Sequence, residues 1–217
     1  MNKVVSLEKI RPLLKDGMSI MIGGFLACGT PEKIIDLLIE TNVKNLTIIA
    51  NDTGYVDRGI GRLVVNGQVK KVIASHIGTN AETGRLMQEG KMEVELSPQG
   101  TLIERIRAAG AGLGGVLTYT GVGTMVEEGK QKITIDGKEY LLELPIKADL
   151  ALVYASVVDE LGNAVYYGTT RNFNPIIATA ATTVIVQAGK IVKASELDPN
   201  NVVTPGVLVD YIIGEAN

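Results

Sequence analysis

Between Gly23 and Pro31 the chain reads Gly-Gly-Phe-Leu-Ala-Cys-Gly-Thr-Pro, a glycine-bounded loop that could hold an anionic ligand. Residues without a Cβ permit a sharp turn and let a ligand approach backbone N–H groups closely. With Thr30 as N-cap and Pro31 at the first helical position, a following helix would add unpaired N–H donors and a partial positive end. A ligand-free strand-to-helix turn has the same composition, and the residues alone leave both readings open. Gly24 and Gly29 have the spacing of a P-loop, but Thr30 stands where the phosphate-binding lysine belongs, which argues against nucleotide hydrolysis. Gly110-Ala-Gly112-Leu-Gly114-Gly115 formally fits Gly-x-Gly-x-x-Gly. Residues 101–109 before it have helical periodicity, whereas a dinucleotide site requires a strand there.

Other chemically capable residues are few. His76 is the only histidine, so a multi-histidine metal site is impossible, and a hydrogen-bonded strand-end histidine is the plainer expectation. Cys28 is the only cysteine; it cannot form an internal disulfide and reads as a small packing residue in a reducing, cytoplasmic protein. Glu104, Arg105 and Arg107 read as the solvated face of a helix. The net charge of −3 and the absence of a basic cluster leave no footprint for nucleic acid. No uninterrupted apolar stretch reaches the roughly 20 residues of a membrane helix, and the charged start lacks the apolar core of a signal peptide.

These residues require elements to position them. With 25 glycines, no tryptophan and two phenylalanines, the composition suits short buried strands joined to helices by glycine turns, an α/β fold. Residues 18–22 and 46–50 read as buried strands flanking a helix that opens at Thr30-Pro31, the strand–helix–strand unit of a parallel sheet. Further strands are expected over 69–75, 92–96, 150–155, 165–167 and 184–186. Helices are expected over 7–15, 83–88, 100–109 and 175–181. Residues 110–123 read as a glycine-rich connector, and Gly110 to Gly115 within it serve either subunit packing or the shaping of a site. Asp136-Gly137 between alternating runs marks a β-hairpin. The expected fold is one α/β domain over residues 1–217: a mainly parallel open sheet flanked by helices, with a β-hairpin insertion and no internal repeat.

Residues 16–31, centred on Gly23-Gly24-Phe25-Leu26-Ala27-Cys28-Gly29, resemble the signature of family I (3-oxoacid) CoA-transferases, in the chain that carries the first motif. The likeness continues through Ala50-Asn51-Asp52-Thr53, Ser75-His76-Ile77-Gly78, Ser97-Pro98-Gln99-Gly100, Arg171-Asn172-Phe173-Asn174-Pro175 and Thr204-Pro205-Gly206. It runs nearly end to end, and it is strongest to the α chains of bacterial acetate/butyrate–acetoacetate transferases.

The resemblance implies transfer of CoA between an acetyl-, butyryl- or acetoacetyl-CoA and a short-chain acid through a glutamyl-CoA thioester. CoA is then a substrate, with no tightly bound cofactor and no metal. In that family the glutamate lies in a Ser-Glu-Asn-Gly-type motif. Here Glu143, Glu160 and Glu196 lack a following Asn-Gly, so the resemblance implies a β subunit that carries it, in an α2β2 or larger assembly. Gly23, Gly24, Phe25, Leu26, Ala27, Cys28 and Gly29 carry over as the CoA-contacting segment. Gln99 is the candidate for polarising the acyl oxygen from a strand-end turn, since a fixed amide can stabilise an oxyanion. Asn51 is a weaker candidate for positioning the carboxylate. A branched side chain at Gly24 is expected to obstruct CoA while leaving the fold intact. A metabolite-binding module without catalysis and a sugar-phosphate isomerase are the competing readings; the second needs an essential acid or base within this chain.

Overall fold

The computed structural model describes residues 3–214. A first turn of helix, α1 (Leu7–Ile10), leads into β1 (Ser19–Ile22). Three strand-to-strand crossovers follow: α2 (Glu32–Thr41) to β2 (Leu46–Asp52), α3 (Ile60–Val65) to β3 (Val69–His76), and α4 (Ala81–Gln88) to β4 (Glu93–Leu96). The chain continues through α5 (Gln99–Gly110), β5 (Val116–Thr118), β6 (Lys132–Ile135) and β7 (Lys138–Glu143). It finishes with β8 (Ala148–Asp159), β9 (Ala164–Val165), α6 (Asn174–Ile177), β10 (Ala181–Val192) and β11 (Tyr211–Ile213). The main sheet runs β11-β10-β8-β1-β2-β3-β4, all parallel, with β9 added antiparallel to β8.

Strand side chains alternate between two cores, as the two-residue period of a pleated strand demands. Ile20, Ile22, Ile48, Ala50, Val72, Ala74, Leu150 and Leu152 pack on the face covered by Ile34, Ile35 and Leu38 of α2 and Leu63 of α3. Met21, Ile49, Ile73, Ala151 and Val153 pack on the other, against Leu102 and Ile106 of α5 and Ile177 of α6. Apolar faces on both sides explain why these strands read as continuous apolar runs. Each fully buried Ile or Leu contributes about 1.5–3 kcal/mol.

Several expectations need correction. The single helix over 7–15 is α1 followed by a separate tight turn at Arg11–Leu13. Helix α2 starts at Glu32 with Pro31 in the capping place, and the Thr30 hydroxyl makes no capping hydrogen bond. Helix α3 was not expected, because Ile60-Gly61-Arg62-Leu63-Val64-Val65 is rich in β-branched residues and glycine. Gly61 is required there: an added Cβ would lie 1.7 Å from the Tyr55 carbonyl oxygen. The connector over 110–123 contains β5, so the hairpin β6–β7 belongs to a three-stranded antiparallel sheet in the order β5-β7-β6. Strand β11 is a further element the sequence did not suggest. Within the connector, Gly110 serves close packing inside the chain, since a Cβ there would meet Thr179 Oγ1 at 2.1 Å.

The small sheet is tied to the main one by charge. Buried Glu143 of β7 accepts from Lys130 Nζ at 2.6 Å and has Arg105 Nε at 3.9 Å. Arg105 also donates to Glu95 at 2.7 Å and to the Leu144 carbonyl at 2.9 Å. Its side chain is only 14% exposed, so the expected solvated face is confined to Glu104 and Arg107.

Candidate active site

In an open parallel sheet the carboxyl ends of the strands border the crevice in which ligands bind. Here the ends of four consecutive strands, β1 to β4, enclose a cavity of about 390 Å³ lined by Phe25, Leu26, Asn51, Asp52, Ser75, His76, Thr79 and Gln99. Three candidates of the sequence reading therefore meet in one place: the glycine loop, Asn51 and Gln99. Gln99 is the first residue of α5, behind Pro98, and not part of a strand-end turn. Its side chain is exposed to the cavity and has no hydrogen-bond partner among the described residues, which leaves the amide open to a ligand.

The glycine loop is organised differently from an anion cradle. Gly23 N–H donates to the Leu152 carbonyl at 3.0 Å, Gly24 N–H to Asn172 Oδ1 at 3.1 Å, and Leu26 N–H to Asp52 Oδ2 at 3.0 Å. Phe25 and Cys28 exchange N–H···O bonds of 3.1 and 2.9 Å around a two-residue turn. At the start of α2, Glu32 N–H is taken by the Thr30 carbonyl and Lys33 N–H by Gln187 Oε1 at 2.9 Å. The expected unpaired donors of the helix are thus satisfied internally. Among the described residues, only the Ala27 and Gly29 N–H groups of the loop lack a partner. The glycines answer to packing inside the protein. A Cβ at Gly23 would fall 1.8 Å from Asn174 Oδ1, and one at Gly24 (φ +127°) 2.1 Å from Thr30 Oγ1. A valine at Gly24 would therefore deform the loop itself, which corrects the expectation of an intact fold with a blocked approach.

The tip of the loop is strained. Leu26 and Ala27 have φ values of +48° and +67°, left-handed conformations that L-residues other than Asn, Asp or Gly avoid at roughly 1–2 kcal/mol each. Such strain persists only where the surroundings over-determine it. Those surroundings come from two sides. From residues 169–174, Asn172 Nδ2 donates to the Cys28 carbonyl at 3.0 Å and Asn174 Nδ2 to the Gly29 carbonyl at 2.9 Å. From the end of β2, Asp52 holds Leu26. Cys28 is exposed and lies 3.0 Å from Thr169 Oγ1, so it is not buried packing.

Asp52 was not singled out by sequence, yet it organises the cavity. Its carboxylate is 4% exposed and accepts from Leu26 N–H at 3.0 Å, Asn51 Nδ2 at 2.6 Å and Gly54 N–H at 2.7 Å. One buried side chain thereby joins the loop after β1 to the loop after β2 and sets the Asn51 amide. The second loop repeats the first in outline: Gly54 and Gly59 bracket a Tyr55–Arg58 bridge, as Gly24 and Gly29 bracket Phe25–Cys28. A local repeat therefore exists where none was expected. Farther along, Ser75 Oγ donates to the Asn51 carbonyl at 2.7 Å and Thr79 Oγ1 to the Gly54 carbonyl at 3.0 Å. His76 is exposed, and its ring has no hydrogen bond among the described residues, contrary to expectation. Among these residues no group of three or more His, Cys, Asp or Glu could hold a metal ion, and no helix is long and apolar enough to cross a membrane.

The family model described as coenzyme A transferase matches residues 5–215. The chain belongs to the coenzyme A transferase family. Among similar coenzyme A transferases, the acetoacetyl-CoA:acetate/butyrate CoA transferase alpha subunit of Clostridium acetobutylicum is 59% identical over 99% of this chain and 98% of its own length. The acetate CoA-transferase subunit alpha of Escherichia coli K12 is 57% identical over 97% of this chain and 96% of its own. Among solved structures, an acyl-CoA transferase from Escherichia coli O157:H7, in thioester complex with CoA, superposes with a TM-score of 0.87 at 26% identity. That match covers 99% of this chain but 50% of the longer chain, so this chain spans half of that coenzyme A transferase.

Proposed function

We propose that this chain is the α-type half of a CoA-transferase that moves CoA between acetyl-, butyryl- or acetoacetyl-CoA and a short-chain carboxylic acid. The reacting glutamate belongs to a separate β subunit, and the two chains complete one cytoplasmic active site in an α2β2 or larger assembly. The observation that carries the split is the state of the carboxylates. Asp52 alone among the cavity-lining residues has one, and its oxygens already hold three donors. Glu143 is buried and bound to Lys130, away from the cavity. A carboxylate so occupied is a poor nucleophile, so an attacking group must come from outside the chain. The same observation disfavours an isomerase working through a carboxylate or lysine of this chain, since no lysine lines the cavity either.

In this reading the partner's glutamate attacks the thioester carbonyl; a C–O bond forms, the C–S bond breaks, and CoA thiolate leaves an acyl–glutamyl anhydride. The thiolate then attacks the glutamyl carbonyl, giving the enzyme thioester and releasing the first acid. The second acid runs both steps in reverse, and no proton or metal is consumed. Gln99 donates its amide N–H to the oxyanion that develops at the acyl oxygen, and Asn51 positions the carboxylate. The segment Gly23, Gly24, Phe25, Leu26, Ala27, Cys28 and Gly29 contacts CoA through the exposed tip, with Ala27 and Gly29 N–H as its open donors. The expected result is CoA transfer from acetoacetyl-CoA to acetate by the co-expressed two-chain complex and none by this chain alone. Transfer by the isolated chain would overturn the split site.

A further inference from the structure

His76 is the last residue of β3 and lies opposite Asp52 in the β2–β3 register. Its ring lines the cavity and is accommodated by a glycine: a Cβ at Gly78 would sit 2.9 Å from Cε1 and 3.1 Å from Nε2. Neither ring nitrogen has a partner among the described residues, so both remain available to a ligand. The rest of the lining consists of the amides of Asn51 and Gln99, the hydroxyls of Ser75 and Thr79, the apolar loop tip, and Asp52. No lysine or arginine lines the cavity. The charged or titratable groups facing His76 are thus reduced to Asp52 from β2; the loop after β1, the approach to α4 and the start of α5 contribute neutral residues. Asp52 already accepts from three donors, so it is not the group that holds an anion.

The geometry points to His76 as the side-chain N–H donor this chain offers to the carboxylate of the free acid. This rests on the transferase reading above and deepens it: the acid and the acyl-CoA differ in charge at the reacting end, and His76 distinguishes them. A ring N–H donated to an ionised carboxylate is a charge-assisted bond, roughly twice as strong as the same bond to a neutral thioester carbonyl. Loss of the ring donor should therefore weaken binding of the acid more than binding of the acyl-CoA.

The test uses the two-chain complex, with acetate and acetoacetyl-CoA as substrates, comparing wild type with His76→Phe and His76→Gln. His76→Phe, which keeps a ring but has no N–H, should raise the KM for acetate about tenfold or more, the loss of a charge-assisted hydrogen bond. The KM for acetoacetyl-CoA should not follow this rise, and His76→Gln, which restores an N–H donor, should recover most of the acetate affinity. Because His76 is exposed, its substitution should not move the melting temperature, which separates binding from a structural role. An acetate KM unchanged in His76→Phe, or a KM for acetoacetyl-CoA that rises equally, would overturn the assignment. Formation of the enzyme–CoA thioester from acetoacetyl-CoA by wild type is read in parallel. Its absence sinks the transferase reading as well, and its presence with an unmoved acetate KM sinks the role of His76 alone.

Discussion

Replacing Asp52 by Asn should lower the transfer kcat of the complex about 100-fold while leaving the secondary structure intact. Asn has the shape of Asp but presents one acceptor and one donor. Asp52 faces donors only: Leu26 N–H and Asn51 Nδ2 at one oxygen, Gly54 N–H at the other. Whichever way the amide turns, an N–H group is set against a donor in a buried site. Each donor left unsatisfied costs about 1–3 kcal/mol. The strained pair Leu26-Ala27 can relieve its own conformational cost by moving once Leu26 is released. A displacement of about 1 Å in catalytic positioning can cost about 100-fold in rate. Steady-state kinetics with circular dichroism measure this directly. A wild-type kcat in Asp52→Asn would show that the loop and Asn51 are held by other contacts.

Gly23→Ala should be the most destabilising single-methyl addition along the loop. The new Cβ would occupy the place of Asn174 Oδ1, 1.8 Å away. Asn174 is fully buried and cannot swing aside without cost. It accepts from Tyr154 N–H at 2.8 Å and donates to the carbonyls of Gly29 and Thr170, both at 2.9 Å. Overpacking costs about 1–3 kcal/mol, and orphaned polar groups add a similar amount. A loss of about 3 kcal/mol lowers the melting temperature of a domain this size by roughly 6–12 °C. Gly84→Ala is the natural contrast, since Gly84 lies inside α4 and a Cβ there meets no atom within 4 Å. That change should stabilise the helix by about 1 kcal/mol. Thermal melts of both variants decide the matter; equal melting temperatures would show that the Gly23–Asn174 contact is not fixed.

Much of the fold was legible because its cause is local. Strands β1, β2 and β3 are buried on both faces, and their apolar runs announce them. Helix α3 was hidden because close approach to the Tyr55 carbonyl selects Gly61 for a reason that only the packed structure reveals. In the site, the glycine loop, Asn51 and Gln99 were visible as motifs, and they converge on one cavity. What these residues do was less legible. The glycines suggested a ligand cradle, whereas Gly23 is explained by Asn174, far away in sequence, and Gly24 by Thr30 at the other end of the same loop. Asp52 carried no signal beyond its place beside Asn51, since its importance lies in three donors from two loops. His76 looked like a satisfied strand-end residue because no sequence pattern reports whether a partner stands nearby.

The central claim is that this chain builds the wall of an active site whose nucleophile belongs to another chain. Treating the two-chain complex with acetoacetyl-CoA, reducing the thioester with borohydride and mapping the modified residue by mass spectrometry tests it directly. One reduced glutamate is expected, on the partner subunit, with Glu143, Glu160 and Glu196 of this chain unmodified. A reduced glutamate in this chain would contradict it.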